Sequence, residues 1–280
     1  MSIMHILEQT SSIVMLVFVL SSMITLGFGL TVRQIVEPLR SIRLVVLSLV
    51  ANFVVMPVVA VLLAQGLWLA EPLRVGLVLL GAAAGAPFLP KLAQIARGNV
   101  AYSVGLMVML IVVSIGYLPL LLPLLLRGVT VDTLQIAKSL VLLMLLPLAG
   151  ALAVNALLPK VAARLRPPLE IVSNVSVVLV FVLLLVVNIQ GELSLFGTRG
   201  ILAGILFVAA GYGSGWLLGG PRMDTRIVLG QGTSQRNIAA AMVVGKSFSD
   251  PLVVVMVVVV ATIGALMLLP YSRKLGRQAQ

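Results

Sequence analysis

The chain has 280 residues, of which 61% are hydrophobic and 10% are charged, and its 19 Lys and Arg residues against 8 Asp and Glu residues give a net charge of +11. Soluble domains carry about 25% charged residues and disordered chains carry few apolar ones, so both classes are excluded. The apolar runs are long and unbroken, unlike the alternating strands of a membrane barrel, so the sequence predicts an all-α polytopic membrane protein. It has no cysteine, which excludes disulfides and thiolate metal sites.

A membrane-spanning helix needs about 20 apolar residues, and the chain divides into about nine such segments. Their predicted bounds are 11–32, 42–66, 72–97, 100–126, 134–158, 168–190, 199–219, 224–247 and 250–270. The segments are separated by turn signals such as Glu37-Pro38 and Pro167-Pro168. Because the connections are short, we expect residues 1–280 to form a single transmembrane unit. No basic stretch precedes the first segment, so we expect a retained helix and not a signal peptide.

Most of the cations lie in alternate connections, which is typical of cytoplasmic loops. These cations are Arg33, Arg40, Arg43, Arg97, Lys160, Arg164, Arg166, Arg222, Arg226, Arg273, Lys274 and Arg277. The opposite connections hold Arg74, Arg127, Lys138, Arg199 and Lys246. This bias predicts an odd number of helices, with the N-terminus outside and the C-terminus in the cytoplasm of a bacterial inner (plasma) membrane. Membrane topology therefore explains the positive net charge, and no nucleic acid partner is expected.

Two cations, Lys91 and Arg236, fall inside predicted segments, whereas all 8 acids lie in loops or at segment ends. Neither of the two segments suits a continuous helix. The third contains Pro87 and Pro90, which each remove a backbone donor and clash with the preceding turn. The eighth contains the polar run 231–237, which is tolerated at membrane depth only where it is buried in protein or lines a cavity. The sequence therefore predicts two broken helices.

The two interrupted segments occupy third and eighth place, a spacing that indicates a transporter of inverted repeats with its site between the broken helices. Half-helix N-termini and the guanidinium of Arg236 favour a negatively charged substrate. A structural clamp by backbone carbonyls is the alternative for Arg236, and a side chain that reaches the membrane surface is the alternative for Lys91. The predicted substrate-binding residues are Lys91, Thr233, Ser234, Gln235, Arg236 and Asn237.

Three stretches of the sequence resemble the bile acid:sodium symporter family, and the likeness covers nearly the whole chain without that family's optional first helix. The stretches are 52–57, 95–101 and 232–241. The resemblance implies a fold in which a panel domain moves against a core domain, with two unwound helices crossing in mid-membrane. The panel is expected to contain helices 11–32, 134–158 and 168–190. The core is expected to contain helices 42–66, 72–97, 100–126, 199–219, 224–247 and 250–270.

The chain departs from the family at the positions that bind sodium in sodium-coupled members. Leu89 and Pro90 stand where those members have Ser and Asn ligands, and Gly230 stands where they have a glutamate. Arg236 replaces a serine, and its charge would repel sodium.

The resemblance leaves a reduced set of residues for an ion. These are Asn52 and Ser234, each in place of a glutamine, together with Gln231 and Ser103, of which Ser103 keeps the family's residue. Asn52 also joins the predicted substrate-binding residues. We expect the usual two-sodium arrangement to be absent, and the fixed charge of Arg236 to take over the electrostatic role of bound sodium.

We therefore expect a secondary transporter that moves a small or amphipathic organic anion by alternating access. Its partners are the anion and the lipid bilayer, and no cofactor or metal is expected, apart from sodium as the coupling ion whose usual ligands are largely missing. The alternative is a non-transporting, anion-binding membrane receptor or scaffold on the same fold. An enzyme is not expected, because no Cys, His or carboxylate lies in the predicted membrane interior to act as a base or metal ligand.

Overall fold

The computed structural model describes residues 3–125, 138, 141–195, 197–245 and 248–278, and these residues form helices joined by turns, with no strand. The helices are α1 (Ile3–Gly29), α2 (Val32–Val36), α3 (Ile42–Val50), α4 (Met56–Gly66), α5 (Glu71–Ala82), α6 (Leu89–Ile95), α7 (Val100–Leu125), α8 (Leu146–Leu157), α9 (Pro159–Ser194), α10 (Gly200–Leu218), α11 (Met223–Ser234), α12 (Ile238–Gly245) and α13 (Leu252–Gln278). A short 3-10 helix, Glu37–Arg40, follows α2, and π-helical turns precede α4 and α8.

The lengths and surfaces of these helices suit a lipid bilayer. In the described part of the chain, 5 helices are long and apolar enough to cross a membrane: Gln9–Gly29, Ile42–Gly66, Val100–Leu118, Gly200–Leu218 and Leu252–Gln278. Large apolar side chains point outward from them, such as Leu217, which is 74% exposed, and Leu266, which is 70% exposed. Extensive apolar surface is unusual on soluble proteins. The chain is therefore an integral membrane protein with several spanning helices.

The sixth predicted segment differs from the helix found there. The sequence predicts a loop at Pro167-Pro168 and a helix from residue 168, but α9 runs unbroken through both prolines. A proline leaves the carbonyl four residues earlier without its helical donor. Here those carbonyls belong to residues 163–164, which lie at exposed positions where water can replace the donor. The prediction of a loop was wrong because the cost of these prolines is small at an exposed part of the helix.

The helix over 42–66 contains an irregularity that the sequence analysis did not predict. α3 joins α4 through the π-helical turn Ala51–Val55. Pro57 has no N–H group, so it cannot donate to the carbonyl of Phe53, four residues earlier. The hydroxyl of Tyr117 donates a hydrogen bond to this carbonyl instead. The turn holds Asn52 in the protein interior, where it is fully buried.

The helices pack into two groups. α1, α8 and α9 contact one another, and we call them the three-helix group; the other described helices form the main group. Gly27 lets α1 approach α8, because a Cβ at this position would lie 2.5 Å from the Cβ of Ala151. In the main group, a Cβ at Gly211 of α10 would lie 2.8 Å from the Cα of Ser234. Close packing therefore brings α10 against the end of α11.

Some features of the sequence analysis lie outside the described residues. They are Arg127, Lys246, residues 134–137 and 139–140 at the start of the fifth predicted segment, and the last residues of the fourth and eighth segments.

Candidate functional site

Both segments that were predicted to be broken are broken in the structure, and the two breaks touch. Residues 83–88 separate α5 from α6, and residues 235–237 separate α11 from α12. The backbone N–H of Asn237 donates to the carbonyl oxygen of Ala83 at 2.9 Å, and its side-chain Nδ2 donates to that of Gly85 at 3.2 Å. The prediction of two broken helices is confirmed, and they lie side by side.

The local sequence explains why each helix stops. Gly85 has a φ of +88°, and a Cβ there would lie 2.8 Å from Cγ1 of Ile111, so the first break requires glycine. Pro90 lies in the first turn of α6, where a missing N–H costs nothing. After the second break, Oδ1 of Asn237 accepts the N–H of Ala240 at 3.1 Å and caps α12. The start of α12 is thus closed by a side chain of the protein.

Arg236 lies at the second break and is 3% exposed. Its Nε donates to the carbonyl of Leu80 at 3.1 Å, and its Nη2 donates to the carbonyls of Gly81 at 2.6 Å and Asn52 at 3.2 Å. Its Nη1 donates to Oδ1 of Asn52 at 2.8 Å and approaches the carbonyl of Thr233 at 3.5 Å. We call this set of contacts the arginine clamp.

The arginine clamp holds a charge with neutral oxygens only. A guanidinium has five N–H donors, and all three of its nitrogens are directed at carbonyl or amide oxygens of the chain. None of these acceptors is a carboxylate. The contacts match the alternative in which backbone carbonyls hold Arg236.

Asn52 connects the π-helical turn to both breaks. Its Oδ1 faces Arg236, while its Nδ2 donates to the carbonyl of Ser48 at 3.0 Å and to Oγ1 of Thr233 at 3.4 Å. Each polar atom of the Asn52 side chain therefore has a partner, as buried polar groups require. The sequence placed Asn52 among candidate ligands, and the structure brings it to the same point as Thr233 and Arg236.

Two of the predicted ion ligands, Ser103 and Ser234, donate their hydroxyl groups to backbone carbonyls. The Oγ of Ser103 lies 2.6 Å from the carbonyl oxygen of Val100, and that of Ser234 lies 2.5 Å from the carbonyl oxygen of Val208. The second contact joins the end of α11 to α10. Both hydroxyls thus have a structural partner.

The predicted ion ligand Gln231 is buried, and only one of the two polar atoms of its side chain has hydrogen-bond partners. Its Nε2 donates to Oγ of Ser272 at 2.8 Å and to the carbonyl of Leu92 at 3.3 Å, whereas its Oε1 has no donor among the described residues. The described residues also contain no group of three or more His, Cys, Asp or Glu side chains that could hold a metal ion.

A cavity of about 190 Å³ lies between the three-helix group and α6, and we call it the cationic cleft. Its polar lining comes from three helices. These polar residues are Ser22 and Thr25 of α1, Lys91 and Gln94 of α6, and Arg166, Glu170 and Ser173 of α9. The cleft lies where two groups of helices meet, a common place for a ligand.

A chain of hydrogen bonds crosses the cationic cleft. Lys91 Nζ donates to Oε1 of Gln94 at 3.1 Å, and Nε2 of Gln94 donates to Oε1 of Glu170 at 3.0 Å. In the described part of the protein, neither Lys91 nor Arg166 forms a salt bridge. Two cations and one carboxylate leave the cleft with a net positive charge.

A smaller, apolar cavity of about 40 Å³ adjoins the cleft at Pro87, which lines both. The rings of Phe18 and Phe88 meet edge to face in its wall, with their centroids 6.1 Å apart. Val177 and Val180 of α9 complete its apolar side. Polar and apolar spaces are thus adjacent at the junction of the two helix groups.

The predicted substrate-binding residues occupy two places in the structure. Lys91 lines the cationic cleft, and Gln235 and Arg236 line the apolar cavity beside it. The remaining ones are buried around the breaks and line neither cavity; they are Asn52, Thr233, Ser234 and Asn237.

Sequence reasoning missed Arg166 and Glu170 as residues of the cleft. Arg166 was assigned to a cytoplasmic loop and Glu170 to a segment end, because Pro167-Pro168 was interpreted as a loop. In a continuous helix, residues four apart share one face. That spacing is the signal that would have placed both side chains together.

A comparison with known families agrees with the fold. The model of the Sodium Bile acid symporter family matches residues 13–194. The matched region includes the first broken helix and the cationic cleft, and it ends before α11. No curated protein matches the sequence. The chain therefore belongs to the sodium bile acid symporter family, which is a family of transporters and not of enzymes.

Proposed function

We propose that this protein is a secondary transporter that moves an organic anion across the membrane by alternating access. The cationic cleft is the observation that carries the proposal. It lies between the three-helix group and α6 of the main group, and its two cations outnumber its one carboxylate. A site at such a junction opens to one side or the other when one group shifts against its neighbour.

Lys91 and Arg166 are the residues that would hold the anionic group. Arg166 offers a planar fork of donors that suits a carboxylate, sulfonate or phosphate, and Lys91 adds a compact charge. Thr25 lines the same cleft, and its buried Oγ1 has no hydrogen-bond partner among the described residues. An oxygen of the bound anion would satisfy this hydroxyl, which is costly to leave unpaired.

The apolar cavity beside the cleft supports an amphipathic substrate. Its wall carries the Phe18 and Phe88 rings and two valines, and it shares Pro87 with the cleft. A substrate with a charged head and an apolar body would place its head between Lys91 and Arg166. The apolar body would then extend toward Phe18.

In this proposal the three-helix group acts as the panel and the main group as the core. The panel comprises the predicted helices 11–32, 134–158 and 168–190, and the other six predicted helices form the core. The broken helices are the third and the eighth of the predicted helices, five places apart. This spacing supports an inverted repeat within a nine-helix unit. The alternating distribution of Lys and Arg supports an outer N-terminus and a cytoplasmic C-terminus.

Counterflow in proteoliposomes tests the function. We expect vesicles preloaded with an unlabelled amphipathic carboxylate or sulfonate to accumulate the labelled compound when they contain the protein, and not when they lack it. Lys91→Gln and Arg166→Gln are expected to reduce this uptake. Arg164→Gln, which removes an exposed cation of the same helix outside the cleft, is the matched control. Binding without counterflow would contradict transport and favour a receptor.

A further inference from the structure

The oxygens of the arginine clamp come from ends of interrupted helices. Leu80 and Gly81 lie in the last turn of α5, and Thr233 lies in the last turn of α11. Carbonyls in a last turn lack the usual donor four residues later and carry the partial negative charge of the helix C-terminus; that of Leu80 also accepts the N–H of Ala83 at 3.2 Å. Asn52 adds a carbonyl and an amide oxygen from the π-helical turn. Three irregular points of the backbone thus direct oxygens at one positive charge.

Such a set of oxygens is suited to a small cation. In transporters with broken helices, unwound carbonyls and half-helix C-termini hold the coupling ion. Here the cation is a guanidinium that is covalently part of the chain. Its burial without a carboxylate is tolerated because these dipoles compensate the charge that water would otherwise stabilise.

The residues around the breaks do not fit an additional sodium ion. Leu89 and Pro90 contribute no side-chain oxygen at the first break, and Oδ1 of Asn52 is already bonded to Arg236. A sodium ion at the arginine clamp would also be repelled by the guanidinium in a medium of low polarity. The family name includes sodium, whereas the oxygens that surround Arg236 already face a cation of the protein.

We infer that Arg236 is a resident cation that occupies the place of a coupling sodium ion, so that the anion transport proposed above runs without sodium. A cation that is bonded to the chain cannot be released on either side of the membrane. It therefore cannot couple transport to a sodium gradient. It holds the π-helical turn Ala51–Val55, α5 and the end of α11 together permanently, and the anion moves down its own gradient or in exchange for another anion.

Thermal unfolding of the purified full-length protein, without any anionic substrate, tests this inference. We expect the wild-type Tm to be equal in sodium chloride and choline chloride. Arg236→Ala should lower the Tm by about 10 °C, because it leaves buried carbonyls without donors. Low-millimolar guanidinium chloride or sodium chloride should restore much of this loss, whereas choline, which is too large for the vacated space, should not.

Arg199→Ala is the matched control. Arg199 also donates to a backbone carbonyl, that of Leu67 at 3.1 Å, but it is exposed. We expect only a small change in its Tm and no rescue by small cations. Arg236→Lys, which keeps the charge, covers the case in which Arg236→Ala does not fold, and its Tm should be insensitive to sodium.

Three results would overturn the inference. They are a saturable rise of the wild-type or Arg236→Lys Tm with sodium, an Arg236→Ala protein as stable as wild type in choline, and an Arg236→Ala protein that no small cation stabilises. Because no substrate is present in these measurements, a failure of anion transport would not change their outcome. A sodium effect on the wild type would refute the inference and leave anion transport intact.

Discussion

The protein has two cationic sites that differ in what surrounds the charge. In the arginine clamp, Arg236 is buried and donates only to oxygens of the chain. In the cationic cleft, Lys91 and Arg166 line a cavity and form no salt bridge within the described residues. The first site has donors that are occupied, and the second has donors that a ligand can reach.

From this difference we infer a structural role for Arg236 and a recognition role for Lys91 and Arg166. A charge whose donors are all satisfied gains little from a new anion, which would first have to displace protein oxygens. A charge at a cavity wall exchanges only water for the anion, so the net gain is larger. Under the proposed function, the occupancy of the hydrogen-bond donors, and not burial alone, distinguishes the anion site from the arginine clamp.

The largest effect is expected in the cationic cleft. A protein that carries both Lys91→Gln and Arg166→Gln should bind an amphipathic carboxylate about 100- to 10,000-fold more weakly, because it loses two charged hydrogen bonds of about 1.5–3 kcal/mol each. Titration calorimetry of the purified protein would measure the Kd. The Arg164→Gln control should keep the wild-type Kd, and an unchanged Kd in the double variant would contradict the assignment of the anion site.

Substitutions in the arginine clamp are expected to lower the stability of the protein and to leave its affinity for the anion unchanged. Asn52→Ala removes one oxygen from Arg236 and leaves a charged donor unpaired, which should lower the free energy of unfolding by about 2–3 kcal/mol. Thermal unfolding checks this, with Asn174→Ala at an exposed position of α9 as the control. A fall in anion affinity that matches the loss of the cleft cations would argue that the two sites act as one.

A change in the backbone conformation of the first break should lower the stability of the protein somewhat less. Gly85→Ala forces a non-glycine residue to a φ of +88° and pushes its Cβ toward Ile111, at a cost of about 1–3 kcal/mol. Gly116→Ala, where a Cβ would meet nothing within 4 Å, should be neutral or slightly stabilising. Equal stability of the two variants in thermal unfolding would mean that the break tolerates other backbone conformations.

The smallest effect is expected from the carboxylate of the cleft. Glu170→Gln keeps an oxygen that can accept the hydrogen bond from Gln94, but it removes the negative charge. The affinity for an anion should rise about fivefold, as the loss of about 1 kcal/mol of repulsion implies. The gain should shrink at high salt, which screens exposed charges. A lower affinity would indicate that Glu170 contacts the substrate directly.

The sequence predicts the two broken helices because their causes are local. Pro87 and Pro90 lack N–H groups, and the run 231–237 is too polar for lipid, so both signals lie within the segments that they interrupt. The family is also recognisable from short stretches, and the match over residues 13–194 confirms it.

The partners of Arg236 are not predictable in the same way. Its acceptors at Leu80 and Gly81 are backbone carbonyls, which every residue possesses, so no residue type marks them. Only the folded chain brings them to a residue more than 150 positions later. Arg166 and Glu170 were missed for a different reason, since the cost of Pro167-Pro168 depends on exposure that the sequence does not show.

Uptake of a labelled amphipathic anion into proteoliposomes, with sodium replaced by choline on both sides, tests whether this protein transports an anion without sodium. We expect the same initial rate in sodium and in choline, at equal ionic strength. A steep, saturable dependence of that rate on sodium would contradict it.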